Sequence, residues 1–215
     1  MKTIKEITSS EIIVNKSRFI ATLLPISNKE EATKFLEETR KKYFDARHNC
    51  YAYIIYDPKE STPLIKKSSD DGEPSGTAGA PILECLEGAG LVNVLCVVTR
   101  YFGGVLLGTG GLTRAYSSSC KESISKAQQE KIITELHEGY EINLELTYDL
   151  YSMVKRSLET KKYKELQTTY EQNIKMKFII SKEDYEKTRE EFTTISLGTI
   201  KLKHNNEVKL FTKNE

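Results

Sequence analysis

No stretch of this 215-residue chain approaches the roughly 20 consecutive apolar residues that a membrane-spanning helix requires. The opening Met-Lys-Thr-Ile-Lys-Glu lacks the apolar core of a signal peptide, so a cytoplasmic protein with no membrane partner is expected. Cysteine is scarce, and Cys50, Cys85, Cys96 and Cys120 form no Cys-x-x-Cys pair. Three of them lie inside apolar segments, which points to buried, reduced thiols rather than disulfides or zinc ligands. Charge of one sign is also missing. The formal net charge is +1, with 18 basic and 18 acidic residues over 1–138 and 14 and 13 over 139–215. Neither half is a basic module, so any contact with nucleic acid must come from a local patch. There is no low-complexity tract and no repeat of fixed period. What remains, 38% apolar and 29% charged residues, is ordinary for a globular chain long enough for two domains.

Glycine is the exception to even spacing. Ten of the twelve glycines fall between Gly72 and Gly111, and five lie between Arg100 and Tyr116. Glycine is costly to order, so this density marks a demanding backbone path. The block follows an apolar run, Leu91 to Thr99, that reads as a buried strand. It precedes Leu112 to Lys131, which reads as a helix whose start is capped by Thr109 or Thr113. Strand, glycine loop and helix start thus lie in series, an arrangement in which backbone amides can face an anion.

Elsewhere the pattern predicts strands at Thr3–Ile7, Glu11–Val14, Ser17–Leu24 and Cys50–Tyr56. A helix follows a capping box formed by Ser27 and Glu30 and runs to about Tyr43. Residues 59–76 read as a long surface loop holding a short strand at Leu64–Lys66, after which Thr77 caps a helix stopped by Gly88 and Gly90. Residues 132–140 mark a composition break and a hinge. Beyond it the predicted elements are the strand Tyr140–Leu146, the helix Tyr148–Lys162, the strands Leu166–Tyr170 and Ile174–Ile180, a Ser181-capped helix to Phe192, and a strand within Thr199–Phe211. This is the β-α-β-β-α-β order of a ferredoxin-like sandwich.

Three constellations have the composition for chemistry. Gly108-Thr-Gly-Gly111, with Arg100 and Arg114, has the parts of a phosphate site, yet it lacks the Gly-Lys-Ser/Thr ending of a Walker loop and the third glycine of a dinucleotide fingerprint. The same glycines also suit a tight turn and close strand-to-helix packing. Asp70, Asp71 and Glu73 are enough carboxylates to hold a hydrated magnesium ion or act as acid and base, and equally suit a turn before a helix. His48 and Cys50, two apart in a strand, share a face and so resemble a thiol with its base; the alternative is a core cysteine. His137 falls in the hinge and His204 in a polar turn, with no partner readable for either.

Four blocks in order, Lys16-Ser-Arg-Phe19, His48-Asn-Cys-Tyr-Ala-Tyr53, Asp71-Gly-Glu-Pro-Ser-Gly-Thr-Ala-Gly79 and Arg100-Tyr-Phe-Gly-Gly104 with Gly108-Thr-Gly-Gly-Leu-Thr-Arg-Ala-Tyr116, resemble the signature of the IMPACT/YigZ family. The resemblance is strong over residues 1–130, and the remainder is similar in length and element order to the small C-terminal domain of bacterial members. It implies an α+β protein with a ribosomal protein S5 domain 2-like domain over 1–133. A ferredoxin-like domain, similar to the last domain of elongation factor G, would occupy 138–215. It further implies a role beside the translation machinery, because eukaryotic relatives regulate translation by interfering with a starvation-responsive kinase. Carried onto this chain, the ligand-facing residues are Asp71, Glu73, Arg100, Gly103, Gly104, Gly108, Thr109, Gly110, Gly111 and Arg114. The expected partner is RNA, the ribosome or a translation factor, with no metal and no cofactor. The competing expectation is a phosphotransfer or hydrolase enzyme using Asp71 or Glu73 with a nucleotide or phosphate at Gly108–Gly111.

Overall fold

The structure, a computed structural model, describes residues 1–205 and 207–212. Residue 206, within the predicted last-strand region, and residues 213–215, at the end of the predicted second domain, lie outside the described residues. Two compact units meet between Thr134 and Glu135.

The first unit is built on a five-stranded antiparallel sheet. Its strands are β2 (Thr8–Val14), β3 (Ser17–Pro25), β4 (His48–Tyr56), β5 (Leu64–Ser69) and β6 (Val94–Tyr101), with β1 reserved for Lys2–Ile4. They lie in the order β2-β3-β6-β4-β5. Helix α1 (Lys29–Lys42) packs on one face. Helices α2 (Gly79–Gly88) and α3 (Gly108–Gln129) pack on the other, against each other and against β2 to β5. Both faces being covered explains why β4 and β6 read as unbroken apolar runs: seven of the nine residues of β4 are buried. Leu24, Tyr51, Tyr53, Ile55, Leu95 and Val97 meet Ala32 and Leu36 of α1 on one side.

Several boundaries depart from the sequence reading for physical reasons. Asn28, not Ser27, caps α1: its side chain accepts from Glu31 N at 2.8 Å, while Glu31 accepts from Ser27 N at 2.6 Å. The capping box is therefore present one residue later. Strand β5 is longer than Leu64–Lys66 because its ladder with β4 continues through Ser69, over polar residues without a periodic signal. The hinge is partly ordered, since β7 (Ile133–Glu135) pairs with β1 as a two-stranded sheet. The largest shift is in α3, which begins at Gly108 rather than Leu112, with neither Thr109 nor Thr113 as its cap. Low glycine propensity made the first helical turn look like loop.

In the second unit β8 (His137–Leu146), α4 (Tyr148–Thr160), β9 (Lys164–Tyr170), β10 (Ile174–Ser181), α5 (Tyr185–Ile195) and β11 (Val208–Phe211) follow the expected order, and the sheet runs β11-β8-β10-β9, antiparallel throughout. Alternate residues Ile142, Leu144, Leu146, Ile174, Met176, Phe178 and Ile180 face Val154 and Leu158 of α4 and Phe192 of α5. Ser181 and Asp184 exchange hydrogen bonds in the turn before α5, so Ser181 organises the helix entry without being its cap residue.

Candidate functional site

The segment between β5 and α2 is a tight loop in which Asp71 (φ 43°) and Gly72 (φ 87°) both take the left-handed conformation. Asp70 accepts from the amides of Gly76, Ala78 and Gly79, each at 2.9 Å, and so caps α2. Thr77, the expected cap, donates instead to the Pro74 carbonyl at 2.7 Å. Burial pushes the Asp70 carboxyl up, but the three amides together outweigh it and hold the group below the usual aspartate range. Asp71 accepts from Asn49 N at 2.7 Å and from Arg40 Nη2 at 3.0 Å, and its carbonyl accepts from His48 Nδ1 at 2.8 Å. A carbonyl only accepts, so this contact puts the imidazole proton on Nδ1. The three neighbouring carboxylates thus serve three different partners. Among the described residues, no group of three or more His, Cys, Asp or Glu converges as a metal site would require.

The third carboxylate belongs to Glu73, which accepts from Arg100 Nη1 at 2.6 Å and from the Tyr116 hydroxyl at 2.8 Å. The side chains of Arg100 and Glu73 are only 8% and 4% exposed. The rings of Phe19 and Phe102 lie 5.5 and 5.7 Å from the guanidinium, and Phe19 stands edge-on to Tyr116. Arg100 was expected to meet a ligand anion; the structure instead spends it on an internal carboxylate, joining β6, the Asp71–Gly79 loop and α3. Removing one partner from such a pair leaves a buried charge unanswered. Cys50 lies beneath the same network, its thiol donating to the Asp70 carbonyl at 2.9 Å. Burial first, then the charges of Glu73, Asp71 and Asp70, push that thiol up to about 12. A thiol so protonated is no nucleophile at neutral pH, and the core reading of Cys50 replaces the catalytic one.

The glycines divide by the reason each is there. A Cβ on Gly103 would stand 2.0 Å from the Lys16 carbonyl carbon, where β6 ends against the turn joining β2 to β3, and Gly103 N donates to Ser17 Oγ at 3.2 Å. Gly79 approaches the Ser69 backbone almost as closely. Gly104 and Gly108 have φ of 83° and 66°. Gly111 is limited only by Leu107, in its own helix turn. Gly110 has neither reason: its φ is ordinary for a helix and a Cβ there would enter open space.

Gly108, Thr109 and Gly110 are exposed, and the 22-residue α3, with Leu107 at its N-cap position, has no side-chain cap. Its first amides therefore present the positive end of a long helix to solvent. Arg114 is exposed, lies one turn beyond Gly110 on the same helix face, and has no ion pair among the described residues. Of the residues expected to face a ligand, the structure brings Gly108, Thr109, Gly110, Gly111 and Arg114 together at an open surface. It withdraws Arg100 and Glu73 into the core and engages Asp71 at another contact. Sequence reading missed Arg40, Asn49 and Tyr116, whose roles arise only from long-range contact. It also missed Asp70 as the acceptor at the α2 entry, because Asp70 lies far ahead of the Ala78 cap position and reaches it only through the folded loop.

Tyrosines on a sheet can stack on bases or simply pack well in a strand, and the second unit's sheet carries Tyr140 and Tyr170. Tyr140 pairs with Ile180 and Tyr170 with Ile174, and both partners belong to the helix-covered core, so these tyrosines lie on the helix side. The opposite face carries Asn143, Glu145, Gln167, Thr169, Lys175 and Lys177.

Comparison with known proteins bears on the blocks that build this site. The family described as the Impact N-terminal domain matches residues 15–124. IMPACT family member YvyE of Bacillus subtilis is 34% identical over 203 residues, 94% of this chain and 89% of its own length. IMPACT family member YigZ of Escherichia coli is 42% identical over 118 residues, 55% of this chain and 57% of its own. A crystal structure of a hypothetical protein, 29% identical, covers 96% of this chain and 97% of its own with a TM-score of 0.61. With the matched region taking in β3 through most of α3, and a relative similar nearly end to end, this chain belongs to the IMPACT family.

Proposed function

We propose that this protein is a cytosolic, non-enzymatic regulator of translation that engages RNA, the ribosome or a translation factor through the exposed start of α3. The observation carrying this reading is the uncapped first turn Gly108-Thr-Gly-Gly111 with the exposed Arg114, which has no ion pair among the described residues, one turn further along the same helix face. Free amides, a helix dipole and a guanidinium there favour a phosphate or carboxylate. The contact residues are Gly104, Gly108, Thr109, Gly110, Gly111 and Arg114, with Gly103, Arg100, Glu73 and Asp71 holding the loops behind them. Family membership supports the translation role, since the resemblance that defines the family includes translational regulators. The strand order β11-β8-β10-β9 supports naming the second unit ferredoxin-like. The naming of the first as S5 domain 2-like rests on the resemblance. The enzymatic alternative gains nothing from Asp71 and Glu73, whose carboxylates already answer internal donors.

Co-sedimentation with purified ribosomes across a salt series tests the proposal. Arg114→Ala is expected to weaken association about ten-fold and to lower the slope of log affinity against log salt by about one. Association that is unchanged in this variant removes the assignment of the α3 start.

A further inference from the structure

The connection from β6 to α3 carries three apolar side chains left substantially open to solvent: Phe102 is 46%, Val105 42% and Leu106 87% exposed. They lie within five consecutive residues, at most about 14 Å of extended chain, whereas the other exposed large apolar side chains, such as Ile13, Phe44 and Leu197, are scattered singly along the chain. Two cations flank them without an ion pair among the described residues. Lys16 stands at the turn against which Gly103 closes, and Arg114 lies exposed one helical turn beyond Gly110. Of the acidic groups nearby, Glu73 pairs with Arg100 and Glu11 with Arg18, while Asp45 accepts from the Tyr101 hydroxyl at 2.7 Å. The surface is thus apolar at its centre and positive at both ends, and the α3 dipole adds to that charge.

We propose that residues 102–107, with Lys16 and Arg114, dock a short peptide segment of a partner protein that carries both acidic and large apolar side chains. This rests on the reading of the α3 start as the contact surface and names the class of partner for it. Magnitudes favour a peptide over RNA. Two free cations neutralise about two phosphates, giving a salt slope near 1.4 for a single strand, which is weak binding. Bases stack on aromatic platforms, and the patch offers one such ring, Phe102, beside the aliphatic and more numerous Val105 and Leu106. A peptide uses every feature present: its apolar side chains cover Phe102, Val105 and Leu106, and its carboxylates meet Lys16, Arg114 and the uncapped amides.

Selection of random linear peptides on the immobilised full-length protein tests this, followed by anisotropy titration of synthetic winners and of a labelled oligouridylate. Winners are expected to combine Asp or Glu with Leu, Phe or Met. Leu106→Ser should weaken them at least ten-fold, Arg114→Glu by a similar factor, and oligouridylate binding should not respond to Leu106→Ser. A thermal melt checks the fold of both variants. No acidic and apolar consensus, winners indifferent to Leu106→Ser, or an equal loss of oligouridylate binding in that variant would overturn the proposal. The translation reading fails separately. Wild-type protein that binds winners but never sediments with ribosomes sinks that reading alone, whereas sedimentation indifferent to Leu106→Ser without a peptide consensus sinks only the docking surface.

Discussion

Arg100 and Arg114 bound the same glycine-rich block and carry the same side chain, yet one is sealed in the core against Glu73 and the other stands exposed, without an ion pair among the described residues. The glycines between them split the same way. Gly103 is required by a backbone pressed against it, and Gly110 meets nothing within 4 Å. The inner half of the block, toward β6, is consumed in fastening the sheet to the β2–β3 turn and to α3. The outer half, from Leu106 to Arg114, leaves amides, a guanidinium and an apolar side chain without internal partners. A glycine-rich segment can therefore be part fastening and part contact surface, and burial distinguishes the two where composition does not.

The comparison breaks most visibly at Glu73. Glu73→Ala should destabilise the protein by about 3–5 kcal/mol, because Arg100 would remain buried without its carboxylate. Chemical denaturation measures this, and a loss under about 1 kcal/mol would mean that the pair is not the fastening described. Gly103→Ala comes next. Its Cβ would need the Lys16 backbone to move, and a cost of about 1–3 kcal/mol, read as a lower urea midpoint at unchanged slope, is expected. At the other half the sign reverses: Gly110→Ala should stabilise by about 0.5–1 kcal/mol, since a helical position with open space gains from alanine. A lower melting temperature for Gly110→Ala would erase the distinction between the halves.

Much of the architecture was legible in the residues. The alternation of Ile142, Leu144 and Leu146 opposite Ile174, Met176, Phe178 and Ile180 announces the second unit's sheet, and the apolar runs of β4 and β6 announce buried strands. The glycine block was readable as the place where backbone geometry is demanding. Its internal boundary was not, because low helix propensity at Gly108, Gly110 and Gly111 masks a first turn that a long, well-packed α3 carries at little cost. The carboxylates illustrate the same limit. Asp70, Asp71 and Glu73 look equivalent in sequence, yet the first caps a helix, the second holds β4 and Arg40, and the third holds Arg100 and Tyr116.

Sequence alone determined the succession of most strands and helices, the family, and the stretch of chain in which the proposed contact surface lies. Those properties depend on local periodicity, backbone freedom and motif order, which neighbouring residues carry. Tertiary structure decided which arginine is free, which glycines are compulsory and which tyrosines face the helices. Each outcome depends on burial by residues far along the chain. Glu73 reaches Arg100, and Lys16 reaches Gly103, only once the sheet has closed between them.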